Sequence, residues 1–334
     1  MKTLHLCNRV PFPPHDGGAI GIYDIISNLA AQGCDVTVLA INTPKHFQPD
    51  HVLADRARLL TIFVNTELSP VKAFLNLFKK IPYNIERFVS EAYATRLTQL
   101  LQTEQFDVIQ VEGSHMAGYM PMVRKYSKAP IVLRAHNVEY TIWQRLAEHE
   151  KNPLKKIYLR HLAGKIKNFE KEYFGKLDAI AAITRHDEVR IRELGCATRI
   201  AIIPAGVEMN RFVINSEIKP KPNTLFTIGS LNWLPNLEGI DWFLANVWPE
   251  VARTCPDLEW HLAGISPPEY LLNLNLPGVK VHGFVPSASE FMQQYDLMLA
   301  PLLSGGGMRI KIIEGMALGK GILTTQVGAE GIFS

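Results

Sequence analysis

The sequence is poor in cysteine and has no long apolar run, and both shortages limit what the protein can be. Its four cysteines, Cys7, Cys34, Cys196 and Cys255, are isolated along 334 residues and show no CxxC spacing. This pattern excludes a zinc ribbon and a disulfide framework, and it predicts reduced thiols in the cytosol. No apolar run approaches the roughly 18 residues that cross a bilayer. The proline-rich start also lacks the apolar core of a signal peptide.

The chain also lacks a strong excess of charge of either sign. The net charge is +3 and charged residues make up 20% of the chain, which is too mild to indicate a nucleic-acid partner. There is no Asp-x-Asp pair and no His/Asp cluster with metal-ligand spacing, so we expect no metal and no resident cofactor. The 47% hydrophobic content and the length suit a globular protein of two domains.

Short β-branched runs alternate with helical stretches, and this pattern predicts an α/β protein with parallel sheets. The predicted strands of a first doubly wound unit cover residues 3–7, 36–41, 60–64, 108–111, 131–135, 179–183 and 199–203. The predicted strands of a second unit cover residues 224–228, 258–262, 279–281, 297–302 and 322–325. One helix is predicted over 237–251, after the first strand of the second unit.

A polar segment with two prolines, residues 215–223, separates the two patterns. We therefore predict two Rossmann-like domains, residues 1–215 and 216–334. They are expected to face a cleft at the carboxyl ends of their strands, where open α/β sheets bind ligands. The second pattern is shorter and stops soon after a strand, so we expect a truncated domain with apolar surface left uncovered.

The segment after the predicted strand 297–302 carries the clearest sign of a binding site. Its candidate contact residues are Gly305, Gly306, Gly307, Arg309, Lys311 and Glu314. Glycines let the backbone approach a ligand, and a helix N-terminus presents amides to an anion. Cations add charge-assisted bonds, and a carboxylate accepts from sugar hydroxyls. The pattern predicts a cradle for a nucleotide diphosphate and its ribose, with an ordinary loop and amphipathic helix as the alternative.

A second candidate is the loop after the first strand, where prolines precede Gly17 and Gly18 at the start of a helix. Such a loop could meet a phosphate or a sugar. A dinucleotide fingerprint needs GxGxxG and an acidic residue at the end of the second strand, whereas this chain offers only GG and Asn42. NAD binding is therefore not favoured. A rigid surface loop without a ligand is the alternative.

A histidine stands at the carboxyl end of another predicted strand. His136 follows strand 131–135, where an imidazole could hydrogen-bond a sugar hydroxyl in the cleft. A buried histidine satisfied by the backbone is the alternative. Glu112 and His115 follow the preceding strand and are weaker candidates for an acceptor site.

Two basic amphipathic stretches, residues 71–80 and 151–176, could rest on an anionic membrane surface. Solvated helix faces are the alternative. Together with the absence of an apolar span, they predict a cytoplasmic protein that is either soluble or peripheral on the inner face of the membrane.

Several motifs resemble those of one known family. The segment APLLSGGGMRIKIIEGMALGKGILTTQVGAEGI closely resembles the donor-binding region of glycosyltransferase family 4, whose members are retaining enzymes of the GT-B fold. PFPPHDGG resembles the N-terminal glycine loop of that family, RAHNVEY its histidine segment, and IIPAGVEMNRF the strand that joins its domains. The resemblance covers nearly the whole chain.

This resemblance implies a retaining, metal-independent transfer of a sugar from a nucleotide-diphosphate sugar. The acceptor would be a polysaccharide, a lipid-linked saccharide or a glycolipid. By position, Glu314 would bond the ribose, Lys311 and Arg309 the diphosphate, and the amides of 305–307 the donor sugar. Gly17 and Gly18 would approach the phosphate, and His136 would contact the donor sugar near the anomeric carbon. His136, Lys311 and Glu314 would then be the catalytic residues.

Three positions depart from the family pattern. Gly306 stands where many members carry the first of two glutamates, Gly321 replaces a usual proline, and the loop 229–236 lacks the usual Arg and Lys. Because that loop has no cation, Arg309 and Lys311 would have to neutralise more of the diphosphate charge. Two alternatives remain open, namely a sugar-nucleotide epimerase or hydrolase of the same fold, and a truncated, inactive nucleotide-binding protein.

Overall fold

The computed structural model describes residues 1–14, 16–207, 209 and 212–332. The chain divides into two units, Met1–Pro204 and Ala205–Ser334. This division precedes the predicted boundary at 215/216. The predicted linker 215–223 also overlaps the first strand of the second unit. In the described residues, each unit is an α/β structure built on a parallel sheet, as the alternating pattern predicts.

The first unit contains a seven-stranded sheet. Its strands are β1 Lys2–Cys7, β2 Asp35–Asn42, β3 Arg58–Phe63, β4 Val108–Glu112, β5 Ile131–Ala135, β6 Ala179–Ala182 and β7 Arg199–Ile202. Its helices are α1 Gly17–Ala31, α2 Pro70–Asn76, α3 Tyr83–Glu86, α4 Glu91–Thr103, α5 Met120–Tyr126, α6 Glu139–His149, α7 Pro153–Phe174 and α8 Arg185–Glu193. The strand order is β3-β2-β1-β4-β5-β6-β7, and every neighbouring pair is parallel.

Apolar side chains cover both faces of this sheet, because successive residues of a strand point to opposite faces. On one face, Ile22 and Ile26 of α1 pack with Cys7 and Val38. On the other, Leu4 and its neighbours join a larger cluster. Polar residues that alternate with the larger cluster, such as His5, therefore lie on the face that α1 covers.

The second unit contains a five-stranded sheet. Its strands are β8 Lys221–Ser230, β9 Glu259–Ile265, β10 Val279–Gly283, β11 Tyr295–Ala300 and β12 Gly321–Thr324. Its helices are α9 Leu234–Asn246, α10 Trp248–Thr254, α11 Glu269–Leu272, α12 Ala288–Gln293, α13 Ile310–Ala317 and α14 Gln326–Ala329. The order is β10-β9-β8-β11-β12, again parallel throughout. The edge strand β12 is only partly covered, and Leu323 is 48% exposed.

Two sequence predictions about the second unit are wrong in detail. The single helix predicted over 237–251 is two helices that meet at Val247, because Pro249 has no N–H and its ring clashes with the carbonyl four residues earlier. Strand β8 starts at Lys221, inside the predicted linker. It accommodates Asn223 in a left-handed conformation (φ 56°), beside an irregularity in its pairing with β11.

In the described part of the chain, none of the helices combines the length and the apolar character needed to cross a membrane.

Candidate functional site

The predicted glycine loop lies between β11, which ends at Ala300, and α13, which begins at Ile310. Gly305 and Gly307 have φ angles of 119° and 65°. Side chains other than glycine rarely adopt these conformations, so the loop conformation depends on both residues. The strand, glycine loop and helix expected from the sequence are therefore confirmed.

Arg309 holds this loop from within. Its side chain is buried, and Nη1 donates to the carbonyl oxygens of Gly306 and, at 2.7 Å, of Gly307. The sequence predicted a direct bond from Arg309 to a diphosphate. In the structure the guanidinium instead braces the loop backbone, because two carbonyls turned inward there accept from it.

Lys311 reaches from α13 across to the end of β8 and the start of α9. Its Nζ donates to Asn236 Oδ1 at 2.9 Å, and a Cβ built on Gly229 would lie 3.5 Å from the same Nζ. Asn236 is itself held by a 2.8 Å bond from Nδ2 to the carbonyl of Ser230. The loop 229–236 has no cation of its own in the sequence, and the fold supplies one from α13.

Lys311, Asn236 and Gly229 line one pocket of the second unit. Its lining residues are Thr227, Ile228, Gly229, Leu231, Asn236, Ile240, Pro301, Leu302 and Lys311. The lining is largely apolar, with one cation and one amide at its rim.

Lys311 gains or loses its proton close to neutral pH. Burial, reinforced by the positive charge of Arg309, lowers the pKa of Lys311 to about 7. A bound anion favours the ammonium form and raises this pKa again. The site can therefore take up a proton together with an anionic ligand.

Glu314 lies one turn after Lys311 on α13 and is partly buried. Residues three apart on a helix share a face, so both side chains belong to the same side of α13. A further polar contact ties the loop to α9, where Ser304 Oγ donates to the carboxylate of Glu238. The structure thus brings Lys311 to Asn236 and Gly229, and the role of Glu314 towards a ribose stays a prediction.

The first glycine loop is occupied by its own chain. Asp16 caps α1 and accepts from the amides of Gly18 (3.1 Å) and Ala19 (3.2 Å), while both of its oxygens accept from Arg9. A Cβ on Gly18 would lie 2.7 Å from Arg9 Nη2. Gly18 therefore leaves room for an internal ion pair. The predicted approach of Gly17 and Gly18 to a phosphate stays a prediction.

His136 follows β5 as predicted, and its main side-chain partner is a carboxylate. Its Nε2 lies 2.9 Å from Glu112 Oε2, and His5 Nδ1 lies 3.1 Å from Glu112 Oε1. Burial alone would raise the pKa of Glu112, but the hydrogen bonds from His136 and His5 outweigh it and hold that pKa well below its usual range. Glu112 is thus a buried anion, and the prediction that it reaches an acceptor is wrong.

His115, the other weak acceptor-site candidate, is partly buried and packs edge-on against Phe88, with ring centroids 5.1 Å apart. Burial lowers the pKa of its imidazole. Among the residues that the structure describes, no group of three or more His, Cys, Asp or Glu side chains is arranged to hold a metal ion.

Sequence reasoning missed two partners, Asn236 and the pairing of His5 with Glu112. Asn236 lies near the start of α9, directly after Pro235 and before Leu237, and this polar position was the available signal. The pairing of His5 left no local signal, because it depends on which strands are neighbours in the sheet.

Two family models match the chain. Residues 222–333 match the model described as "Glycosyl transferases group 1", and residues 15–211 match "Glycosyltransferase Family 4". Together with the two parallel sheets, these matches define a glycosyltransferase of the GT-B type. The chain belongs to glycosyltransferase family 4.

Known structures share this fold at low sequence identity. Sucrose-phosphate synthase from Thermosynechococcus elongatus has a TM-score of 0.68 and 17% identity, covering 98% of this chain and 82% of that one. HepE from Anabaena, in complex with UDP and glucose, has a TM-score of 0.64 and 12% identity, covering 98% and 81%. A curated relative, an uncharacterized 44.6 kDa protein in the cps region of Klebsiella pneumoniae, is 21% identical over 99% of this chain and 84% of its own length.

Proposed function

We propose that this glycosyltransferase moves a sugar, with retention, from a nucleotide-diphosphate sugar to a saccharide or lipid-linked acceptor during synthesis of a cell-surface polysaccharide or glycolipid. The observation that carries the proposal is Lys311, a partly buried cation that lines a pocket and lies in the first turn of the helix after the glycine loop. The UDP and glucose in the HepE complex support the donor class. The cps-region relative supports the polysaccharide.

In this proposal each residue has a defined task. Lys311 neutralises the leaving diphosphate as its charge develops, and the amides of 305–307 contact the donor sugar. Arg309 keeps the loop in shape and adds positive potential beneath it. Glu314 accepts from the ribose hydroxyls, and His136 hydrogen-bonds a hydroxyl of the donor sugar.

The transfer is further proposed to need no metal, because Lys311 and the α13 N-terminus supply the positive charge at the diphosphate. Turnover that continues at the same rate in excess EDTA is the expected result. Loss of turnover in EDTA and its recovery with Mg²⁺ would contradict this part of the proposal.

The deciding experiment is a screen of nucleotide sugars with and without saccharide and polyprenyl-phosphate-linked acceptors, scored by diphosphate release. The anomeric configuration of the product, read by NMR, tests retention. Donor consumption without an acceptor would indicate an epimerase or a hydrolase. A rise in melting temperature with UDP or GDP but no turnover of any donor would indicate a nucleotide-binding protein without activity.

The same screen, run with Lys311→Ala, tests the role of this lysine. We expect turnover to fall by about 10²-fold or more if Lys311 stabilises the leaving diphosphate. Lys320→Ala is the control, since Lys320 is a partly buried lysine of the same unit that donates to the carbonyls of Gln293 and Tyr295. Parental turnover in Lys311→Ala would remove Lys311 from the mechanism.

We propose an anionic membrane as a second partner, bound by the exposed side chains on and after α2. The exposed apolar side chains on and after this helix are Val71 (69%), Phe74 (62%), Leu75 (56%) and Phe78 (83%). The accompanying exposed lysines are Lys72, Lys79 and Lys80, of which Lys79 also pairs with Glu86. Exposed aromatic side chains with flanking cations match an anionic lipid surface.

This apolar face is held in place by a polar anchor. Asn76 is buried at the end of α2, where its Oδ1 accepts from Lys165 of α7 at 2.8 Å and its Nδ2 donates to the carbonyl of Ile81 at 2.9 Å. The helix is therefore fixed on the first unit while Phe74 and Phe78 point into solvent.

Sedimentation with vesicles tests this partner. We expect binding to vesicles of phosphatidylglycerol and phosphatidylcholine, weak binding to pure phosphatidylcholine, and loss of binding in Phe74→Ser/Phe78→Ser. Phe284→Ser removes an equally exposed phenylalanine (58%) of the second unit and serves as the control. Equal binding to both kinds of vesicle, or parental binding by the double variant, would contradict the proposal.

A further inference from the structure

Three cations lie at one edge of the sheet of the first unit, where its parallel strands end. Arg9 stands two residues after β1, and Lys45 stands three residues after β2. Arg87, directly after α3, donates from Nη1 to the carbonyl oxygen of Thr66, three residues after β3, at 3.2 Å. Because β3, β2 and β1 are consecutive parallel neighbours, the three cations share the carboxyl edge of the sheet, where open α/β sheets bind ligands.

Two of these cations have no counter-ion. Arg9 is paired with Asp16, the cap of α1. Within the residues that the structure describes, Lys45 and Arg87 form no ion pair, and Arg87 Nε is buried without a hydrogen-bond partner. Partial burial lowers the pKa of the Lys45 amine, the carboxylate of Asp16 raises it, and both guanidiniums lower it further. Like charges held near one another disfavour their charged forms, so an anion bound there would stabilise both cations.

A neutral donor extends this edge of the sheet beyond the cations. His115 stands three residues after β4, and its ring packs against Phe88 at 5.1 Å between centroids. The same phenylalanine supports Arg87, whose Cζ lies 5.0 Å from the ring centroid. Burial lowers the pKa of His115, and the charges of Arg87 and Arg9 are further causes. The imidazole is therefore neutral near pH 7 and adds a hydrogen-bond donor without adding charge.

The cations also lie next to the surface proposed to bind the membrane. Arg87 follows Glu86, the last residue of α3. The carboxylate of Glu86 accepts from Asn76 Nδ2, at the end of α2, at 2.6 Å and also pairs with Lys79. α2 is thus fixed to the turn that carries Arg87. An anion bound by Arg87 can therefore belong to a molecule that is itself held at the lipid surface.

We propose that Arg87 and Lys45 bind a phosphate of a lipid-linked acceptor, in a site of the first unit that is separate from the donor site at Lys311. The guanidinium presents a planar fork that matches two phosphate oxygens, and the lysine adds a compact positive charge. The inference rests on the proposed function for the role of the acceptor, and on the arrangement of the cations alone for the binding of a phosphate.

Calorimetry with inorganic pyrophosphate and with geranyl diphosphate, a short lipid diphosphate, tests the site. Each protein is full length and carries Lys311→Ala, so that the cation of the second unit does not contribute. We expect Lys45→Gln/Arg87→Gln to weaken the binding of both probes by about tenfold or more, because it removes charge-assisted hydrogen bonds. Parental affinity in this double variant, or no binding of either probe before it is introduced, would overturn the proposal.

Arg124→Gln/Lys128→Gln is the matched control, because it removes the same charges at the opposite edge of the sheet. Arg124 there donates to Asp178, which also accepts from the amide of Ile131 at the start of β5. Charges so far apart are screened by salt, so the affinity for both probes should stay within about twofold. A loss equal to that of Lys45→Gln/Arg87→Gln would show a general effect of net charge and overturn the proposal.

A second variant covers the case in which Arg87→Gln does not fold. Lys45 makes no hydrogen bond within the described residues, so its replacement should leave the fold intact. Lys45→Glu should weaken the binding of both probes more than Lys45→Gln does, since it puts a negative charge beside the phosphate. Parental affinity in Lys45→Glu would overturn the proposal.

The source of the phosphate is decided by competition and by kinetics. Binding of geranyl diphosphate should persist in excess phosphatidylglycerol vesicles, and its loss there would assign the cations to bilayer headgroups instead. With Lys311 intact, Lys45→Gln/Arg87→Gln should raise KM for a polyprenyl-phosphate-linked acceptor about tenfold or more and change KM for the donor by less than about twofold. The reverse pattern would assign the cations to the donor diphosphate and overturn the proposal.

The two proposals fail in different ways. If the protein consumes no nucleotide sugar with any acceptor, the proposed function fails. The calorimetry then still decides whether Arg87 and Lys45 bind a phosphate, because it needs no turnover.

Discussion

At the scale of single residues, Lys311 lowers the stability of the folded protein and is proposed to bind the diphosphate. Its pKa is about 7 because burial and Arg309 disfavour the ammonium form. The unfolded chain, with a lysine near its ordinary pKa, binds more protons between pH 7 and about 10.4. Lys311 therefore makes the folded state less stable at neutral pH, and its contribution improves as the pH rises through this window. A cation kept at this cost is typical of a binding site.

Proton uptake on nucleotide binding is the prediction that follows for Lys311. At pH 8 the free site is mostly neutral and the terminal phosphate of a nucleotide diphosphate is already ionised. We expect binding of UDP or GDP, whichever shifts the melting temperature, to take up nearly one proton and to weaken as the pH rises above about 7. Calorimetry in two buffers of different ionisation enthalpy measures this uptake.

Lys311→Arg is the control for that measurement, because an arginine stays charged and has no proton to gain. The heat of nucleotide binding to Lys311→Arg should be the same in both buffers once the heats of dilution are subtracted. Equal heats in both buffers for the parental protein would show that Lys311 does not change its charge on binding.

At the scale of elements, α9 and the glycine loop touch through a helical glycine. A Cβ on Gly239 would lie 2.0 Å from the carbonyl oxygen of Pro301 and 3.3 Å from Cα of Leu302. Any side chain at Gly239 must therefore push α9 away from the loop. Since Asn236 lies on the same helix and bonds Lys311, this close packing also sets the shape of the pocket.

Gly239→Ala and Gly164→Ala form a matched pair that tests this packing. Both glycines are helical, but a Cβ at Gly164 of α7 would meet nothing within 4 Å. We expect Gly239→Ala to lower the unfolding free energy of the second unit by about 1–3 kcal/mol and to weaken nucleotide binding. Gly164→Ala should raise stability by roughly 0.5–1 kcal/mol. Denaturant unfolding curves measure both changes in unfolding free energy, and equal effects of the two substitutions would contradict the packing argument.

At the scale of the whole molecule, two units of different size carry different parts of the proposed chemistry. The glycine loop, Lys311 and Asn236 all belong to the second unit, whereas His136 belongs to the first. A nucleotide diphosphate without its sugar should therefore find its principal contacts in the second unit. The segment of the first unit around His136 should respond only when a sugar is present.

Hydrogen exchange followed by mass spectrometry tests this division. We expect UDP or GDP to protect residues 229–240 and 301–314 and to leave the segment 108–140 unchanged. Protection confined to the first unit would contradict the donor site. The Lys311→Ala protein, which lacks the principal cation, should show little protection in either segment and serves as the control.

Much of the fold was predictable, and the errors have identifiable causes. Strand β5 was predicted with its exact bounds and others within a few residues, because short apolar runs between turn residues are local signals. The split at Val247 was missed although Pro249 stood in the predicted helix. The domain boundary was placed too late because a proline-containing polar stretch also begins strand β8.

For the candidate site, residue types were easier to predict than contacts. The glycine loop with Lys311 and Glu314 was located from local sequence, but Arg309 was assigned to the ligand when it actually bonds the loop carbonyls. A cation beside glycines has the same sequence signature whether it faces inward or outward. The direction depends on packing that no local pattern contains.

By itself the sequence determined the alternation of strands and helices, the glycine loop ahead of α13, and the position of His136 after β5. These features depend on periodicity and on glycine, which act between near neighbours in the chain. Only the tertiary structure decided that Lys311 meets Asn236, 75 residues away, and that His5 meets Glu112, 107 residues away. The physical reason is that strand order brings distant residues to one sheet face, where burial and hydrogen bonding then fix their charges and orientations.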